Sequence, residues 1–160
     1  MHPTIAIREA DDSDVDVLVA LAGIVQELHV SALPEFFKRV DPEEVAGWFR
    51  GTLARADVKA WIAFSNDAAV GYAVAVVTTR PETPFSVARS FYQLDQIGVS
   101  PDFRRQGVAR ALIERVNDDA RARGLHEVEL TSWAFNEAAH AAFRTLGFRP
   151  MIVRLGRRCE

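Results

Sequence analysis

The segment Val99-Ser100-Pro101-Asp102-Phe103-Arg104-Arg105-Gln106-Gly107-Val108-Ala109 constrains the fold more than any other part of the chain. A β-rich run ends at Val99, a short turn follows, and an amphipathic helix opens at a glycine flanked by arginines. A helix start leaves backbone N–H groups unpaired and carries the positive end of the macrodipole, which suits a phosphate. Gly107 has no Cβ, so a bulky anion can approach the main chain there. The stretch reads as a strand–turn–helix unit with a candidate pyrophosphate cradle at the turn.

The rest of the chain supplies the elements around that unit. Ile5-Ala6-Ile7 alternates ahead of Asp11-Asp12-Ser13, a short strand running into a cap. Val15, Leu18, Ala22, Val25 and Leu28 predict a helix from about Ser13 to His29. Asp41-Pro42-Glu43-Glu44 starts a second, with Asp41 as cap and Pro42 in the first turn. Val58 to Phe64 and Ala69 to Val77 read as a hairpin turning at Asn66-Asp67. Pro81 and Pro84 make Thr78 to Arg89 a loop, and Ser90 to Val99 the next strand. Val108, Leu112, Val116 and Ala120 carry a third helix to about Arg123, stopped by Gly124. Val128 to Ser132 alternates as a strand, Asn136 caps a fourth helix stopped by Gly147, and Phe148 to Leu155 predicts a closing strand. The order β-α-α-β-β-β-α-β-α-β predicts an α/β (α+β) fold, a mixed sheet with helices on both faces.

Length and charge bound the function. A chain of 160 residues fits one domain, expected to span residues 1–160, and can bury roughly 70% of its unfolded surface. A formal charge of −3 leaves no basic footprint for nucleic acid, although Arg104, Arg105 and Arg110 concentrate positive charge around Gly107. No apolar run reaches about 18 residues and the amino terminus lacks a signal pattern, so no membrane partner is expected. Cys159 has no internal partner, and a cytoplasmic location is the default. No Walker-type lysine follows Gly107, which argues against nucleotide hydrolysis.

These residues resemble the GNAT superfamily of N-acetyltransferases. The family signature is Gln or Arg, two residues, Gly, one residue, then Gly or Ala, filled here by Arg104, Gly107 and Ala109 after Ile97-Gly98-Val99-Ser100-Pro101. A second block, Asn then Ala and ending in Gly-Phe, is matched by Asn136, Ala139, Gly147 and Phe148. The element order resembles the family across nearly the whole chain. The resemblance implies a mostly antiparallel central sheet splayed at its middle, with acetyl-coenzyme A as co-substrate and no metal. The pantetheine arm would lie in the splay beside Ile97, Gly98 and Val99, and the diphosphate on N–H groups from Arg105, Gln106, Gly107, Val108, Ala109 and Arg110, with Arg104 alongside. Asn136 and Phe143 are implied as further cofactor contacts. A homodimer is also open, since relatives often pair.

Acetyl transfer to an amine needs an unprotonated nucleophile, and a lysine-like amine titrates near ~10.4. Period two places Gln93, Asp95, Ile97 and Val99 on one strand face and Tyr92, Leu94 and Gln96 on the other. Asp95 is the candidate base; a structural role, bonded to nearby backbone or to Arg89, stays equally open. Many family members have a tyrosine four residues before Gly-Phe, but Phe143 stands there and has no proton to donate. Tyr92 and His140 are the remaining acid candidates, beside water or the product ammonium, and His140 reads more simply as an exposed helix residue. The resemblance places the acceptor pocket between the first two helices and the loop before the central strand. Phe36, Phe37 and Phe85 would make it apolar, with His29, Glu35 and Arg89 as polar contributors, or the aromatics would fill core beneath a loop. Trp48, Trp61 and Trp133 are assigned to packing. The expected activity is direct transfer of an acetyl group to a primary amine of a small molecule or peptide. Some family members carry Glu or His where Gln93 and Asp95 stand, and Gln93 cannot act as a base; with Phe143, this leaves open a non-catalytic acyl-coenzyme A sensor or partner subunit.

Overall fold

The computed structural model describes residues 4–159. One sheet, ordered β1-β2-β3-β4-β5, is formed by β1 (Ile5–Glu9), β2 (Val58–Ser65), β3 (Ala68–Arg80), β4 (Arg89–Val99) and β5 (Val128–Leu130). The first four strands pair antiparallel, and β5 joins β4 in parallel. Four helices cover it: α1 (Val15–Ala32), α2 (Pro42–Leu53), α3 (Val108–Ala122) and α4 (Glu137–Thr145).

Local chemistry explains these elements. Asp41 caps α2 by accepting from the Glu43 and Glu44 amides, with Pro42 in the first turn where its missing N–H costs nothing. Asn136 caps α4 by accepting from the Ala139 amide. Asn66 and Asp67 both take positive φ (46° and 65°), the backbone twist that a two-residue hairpin requires. Side chains alternate through the sheet into two cores. Trp61, Ala63, Ala73, Tyr92 and Leu94 meet Val108, Leu112 and Val116 of α3 on one face. Ile62, Tyr72 and Val74 meet Leu18 and Leu21 of α1 and Phe49 of α2 on the other.

Three sequence expectations change. The loop before β4 shrinks to residues 81–88, because the prolines exclude strand only from Pro81 onward. Thr78 and Thr79 continue the ladder against Phe91 and Ser90, and the Thr79 and Ser90 hydroxyls lie 2.9 Å apart. The expected closing strand at Phe148 to Leu155 does not form: among the described residues no ladder includes this segment, and Met151, Ile152, Val153 and Leu155 are exposed, without the burial that would hold a strand to the sheet. Finally, the unit Asp12–Ala32 is long and apolar enough, by length and composition, to cross a bilayer, contrary to the expectation of no such run. Here it lays Val15, Leu18 and Leu21 against the sheet, while Ile24 and Leu28 on its other side are exposed.

Candidate active site

The site is built on a break in β4. Val74 pairs with Gln96 and Ala75 with Leu94, so Asp95 has no partner and forms a β-bulge. A bulge inserts one extra residue and re-aims the side chains on either side of it. The period-two reading, with Gln93, Asp95, Ile97 and Val99 on one face, therefore fails at Asp95. Tyr92, Leu94, Ile97 and Val99 all face the α3 core. Gln96 and Gly98 face α1: the Tyr72 hydroxyl donates to Gln96 Oε1 at 2.9 Å, and Gly98 packs against Val25 and Tyr72.

The same strand opens the sheet. β5 pairs with β4 only at Tyr92–Val128, Gln93–Glu129 and Leu94–Leu130, and the strands part beyond Leu94. The Ser100 amide donates to the Val70 carbonyl on the β3 side. By alternation the main-chain groups of Val99 and Ile97 face the gap instead. Gly98, read from the sequence as a cofactor contact, has a packing role. A Cβ there would lie 2.3 Å from Val25 Cγ2 and 2.9 Å from Tyr72 Cε1, so only glycine lets α1 approach.

At the end of β4 the chain turns through Pro101–Phe103 into α3. Arg105 and Gly107 both adopt positive φ (61° and 87°), a conformation that gathers consecutive amides into a concave anion site. The first α3 amide with a backbone acceptor is that of Ala111, which donates to the Gly107 carbonyl. Among the described residues, the amides of Arg105, Gln106, Gly107, Val108, Ala109 and Arg110 have no protein acceptor. Arg104, Arg105, Gln106 and Gly107 are exposed, and no acidic residue occupies the first turn. Gly107 faces open space, with no heavy atom within 4 Å of an added Cβ. A diphosphate fits this cradle: it needs several N–H donors, positive charge and steric access, and all three are present.

A cavity of about 350 Å³ runs along the bulge, lined by Asp95, Gln96 and Ile97 of β4. Ala22, Val25 and His29 of α1 and Val45, Trp48 and Phe49 of α2 form one wall. Leu130 to Trp133, Asn136, Ala139 and Phe143 form the other. Asp95 is exposed to the cavity, and its carboxylate has no hydrogen-bond partner among the described residues. The structural alternative for Asp95 finds no support, because Arg89 pairs instead with Glu127 (2.9 Å) and Glu129. Burial, and secondarily the Asp95 charge, pushes the Tyr72 phenol above its ordinary range.

The cavity gathers Asp95, Ile97, Asn136, Phe143, His29 and Phe37 from the sequence-predicted set and leaves others out. Tyr92 is fully buried on the α3 face, and its hydroxyl donates to Asp119 Oδ2 at 2.8 Å. Asp119 also accepts from Lys59 (3.0 Å) and Arg123 (2.7 Å). Burial works to raise the Asp119 carboxyl, but these three donors outweigh it and hold it below the usual range. Burial and Asp119 together push the Tyr92 hydroxyl up. Tyr92 is thus part of a structural ion cluster. His140 does not line the cavity. Phe85 is 97% exposed in the loop 81–88, and Arg89 is taken by its carboxylate partners, so neither contributes to the cavity.

Phe36 and the exposed Glu35 lie outside as well, the Phe36 ring 5.6 Å from Trp133. Phe37 sits 5.2 Å from Trp133 and 4.8 Å from His29, whose Nδ1–H donates to the Val25 carbonyl. These rings join the α1–α2 loop to the β5–α4 loop across the gap. Trp48 and Trp133, assigned to packing, line the cavity, whereas Trp61 is core as expected. The sequence reading missed Tyr72 and Gln96, whose pairing appears only once the bulge has turned Gln96 toward β3.

The profile of the acetyltransferase (GNAT) family matches residues 23–148. The [Ribosomal protein bS18]-alanine N-acetyltransferase of Escherichia coli is 27% identical over 133 residues, 81% of this chain and 83% of that protein. Among solved structures, a mutant of the BH1408 protein from Bacillus halodurans superposes with a TM-score of 0.90, covering 96% of this chain and 99% of that one, at 22% identity. The aminoglycoside N-acetyltransferase AAC(6')-Iy, in complex with CoA, superposes with a TM-score of 0.75 over 99% and 98% of the two chains, at 19% identity.

Proposed function

Since this chain belongs to the acetyltransferase (GNAT) family, we propose that residues 1–160 act as one N-acetyltransferase domain moving an acetyl group from acetyl-coenzyme A to a primary amine by direct transfer in a ternary complex. The observation that carries this reading is the row of six acceptor-free amides, Arg105 to Arg110, at the mouth of the β4–β5 gap. The amides would hold the diphosphate, with Arg104 screening its charge, and the Ile97 and Val99 main chain would face the pantetheine arm. Asn136 and Phe143 line the far wall of the same gap.

Acetyl-coenzyme A, when bound, supplies an activated acyl carbon and a thiolate leaving group. Asp95 anchors the acceptor's ammonium and takes one proton, so that the free nitrogen can bond to the acyl carbon as the carbon–sulfur bond breaks; the nitrogen's second proton passes to solvent. A positioned base contributes typically ~10²–10⁴-fold. An N–H of Ile97 or Val99 donates to the oxygen that gains charge. With Phe143 at the position of the usual phenol, and neither Tyr92 nor His140 on the cavity, the thiolate takes its proton from solvent. A thiol titrates near ~8.5, so this is the lesser demand at neutral pH.

The test is release of free thiol from acetyl-coenzyme A with a panel of amines. The reading expects acceleration by at least one amine, lost by ~10²-fold or more in Asp95→Asn while coenzyme A affinity is kept. Binding of coenzyme A without acceleration on any amine would instead fit the sensor alternative. A homodimer belongs to the same reading, because the exposed apolar run Met151, Ile152, Val153 and Leu155 suits a second copy of this chain. Sedimentation of the full chain against one ending at Pro150 tests that part. Cys159 is exposed and unpaired, which supports a reducing, cytoplasmic setting.

A further inference from the structure

We infer that the acceptor is a small monoamine with an apolar, aryl or branched-alkyl body, and not a polyamine, an aminoglycoside or a peptide. This rests on the acetyltransferase reading above. Asp95 is the sole carboxylate among its lining residues, and no lysine or arginine joins it. Of the other polar lining groups, Gln26, Gln96, Thr131, Ser132 and Asn136 are uncharged amides and hydroxyls, and His29 keeps its Nδ1–H on the Val25 carbonyl. One carboxylate balances one ammonium. A second ammonium on the same molecule would sit against Val25, Phe37, Val45, Trp48 or Phe49 with no counter-charge, and desolvating an unpaired charge is costly. An acceptor bearing a carboxylate would likewise find no lysine or arginine among the lining residues.

The wall chemistry completes the case. Trp48 and Phe49 stand edge to face at 5.0 Å, and Phe37 packs against His29 and Trp133, which line the cavity beside it. Such rigid aromatic surfaces take apolar or aryl groups, and their faces also attract a cation lying nearby. Size points the same way. The cavity of about 350 Å³ extends to Leu130 and Phe143, the side assigned to the pantetheine arm, so only part of it remains for the acceptor.

The experiment measures kcat/KM by thiol release, with acetyl-coenzyme A saturating, for 2-phenylethylamine, isoamylamine, spermidine, kanamycin and an alanine-initiated hexapeptide. The inference expects the two apolar monoamines to lead by at least tenfold. It also expects Phe37→Ala and Trp48→Ala each to raise their KM by roughly tenfold, with coenzyme A affinity unchanged as the check on folding. In Val45→Glu, which adds a second carboxylate to the wall, spermidine should gain relative to 2-phenylethylamine. A lead by spermidine, kanamycin or the peptide overturns the inference and leaves the acetyltransferase reading standing. Thiol release unchanged by every amine overturns both. Wild-type KM values in both aromatic variants would show that these rings do not touch the acceptor, and would also overturn the inference.

Discussion

Gly107→Ala separates the anion cradle from ordinary helix capping. Gly107 precedes α3 with φ at +87°, and an added Cβ meets nothing within 4 Å. The substitution therefore costs left-handed strain without a clash, about 1–2 kcal/mol. For a chain of this length that corresponds to a melting shift of roughly 2–8 °C. Gly124, at the other end of α3, provides the control: its φ is +71° and its Cβ position is equally empty. Gly124→Ala should lose similar stability for the same reason. Only at Gly107 does the methyl enter the space where the diphosphate would rest. Displacing the anion from one charge-assisted amide bond costs about 1.5–3 kcal/mol, a weakening of roughly 10- to 100-fold. Calorimetric titration with coenzyme A should show that loss in Gly107→Ala and near wild-type affinity in Gly124→Ala. Equal affinities in the two variants would refute a close approach of the ligand to this backbone.

Gly98→Ala should destabilise by about 1–3 kcal/mol in urea unfolding, because its methyl meets the stiff Val25 side chain at 2.3 Å. Val25→Ala in the same chain should restore much of the loss, and no restoration would mean that α1 does not pack there. Tyr92→Phe should cost about 1.5–3 kcal/mol through its lost bond to Asp119 while leaving kcat/KM unchanged; a fall in kcat would return Tyr92 to the catalytic set. Acid stability should depend on two carboxylates. The Arg8 hydrogen bond outweighs burial and holds Asp14 below its ordinary range, and at Asp119 burial is outweighed by Lys59, Arg123 and Tyr92. Both folded-state values lie below the unfolded one, so their stabilisation is present above pH ~3.9 and fades as the pH falls below it. Urea midpoints between pH 5 and pH 2.5 should fall less steeply in Asp14→Asn/Asp119→Asn, and an unchanged slope would contradict this assignment.

Local chemistry made most of the architecture legible. Asp41-Pro42, Asn136, Gly124 and Asn66-Asp67 act through their own backbones, so they announce caps, stops and a turn before any tertiary contact exists. The cradle was readable for the same reason, because Gly107 between arginines at a helix start is a local arrangement. The bulge at Asp95 was not. It depends on how β3 and β4 share a register, and it reversed the faces of every residue after it. Aromatic residues misled in both directions. Trp48 and Trp133 border a cavity while Phe85 faces solvent, and only the packing of separate elements decides which ring does which. Tyr92 looked chemical by type, but its hydroxyl is taken by Asp119 near the end of α3, which Lys59 of β2 and Arg123 just past α3 also hold. The segment from Phe148 to Leu155 has strand-like composition, yet among the described residues it joins no ladder and its apolar side chains stay exposed, an outcome that composition alone does not decide.

The central claim is that the start of α3 holds the diphosphate of coenzyme A through its main chain. Titrating ¹⁵N-labelled protein with coenzyme A and following the amide resonances tests it most directly. The amides of Arg105 to Arg110 should shift together and saturate with a single affinity, with Ile97 and Val99 moving alongside. Saturation that leaves Arg105 to Arg110 unmoved, with the shifts elsewhere on the sheet, would contradict the account.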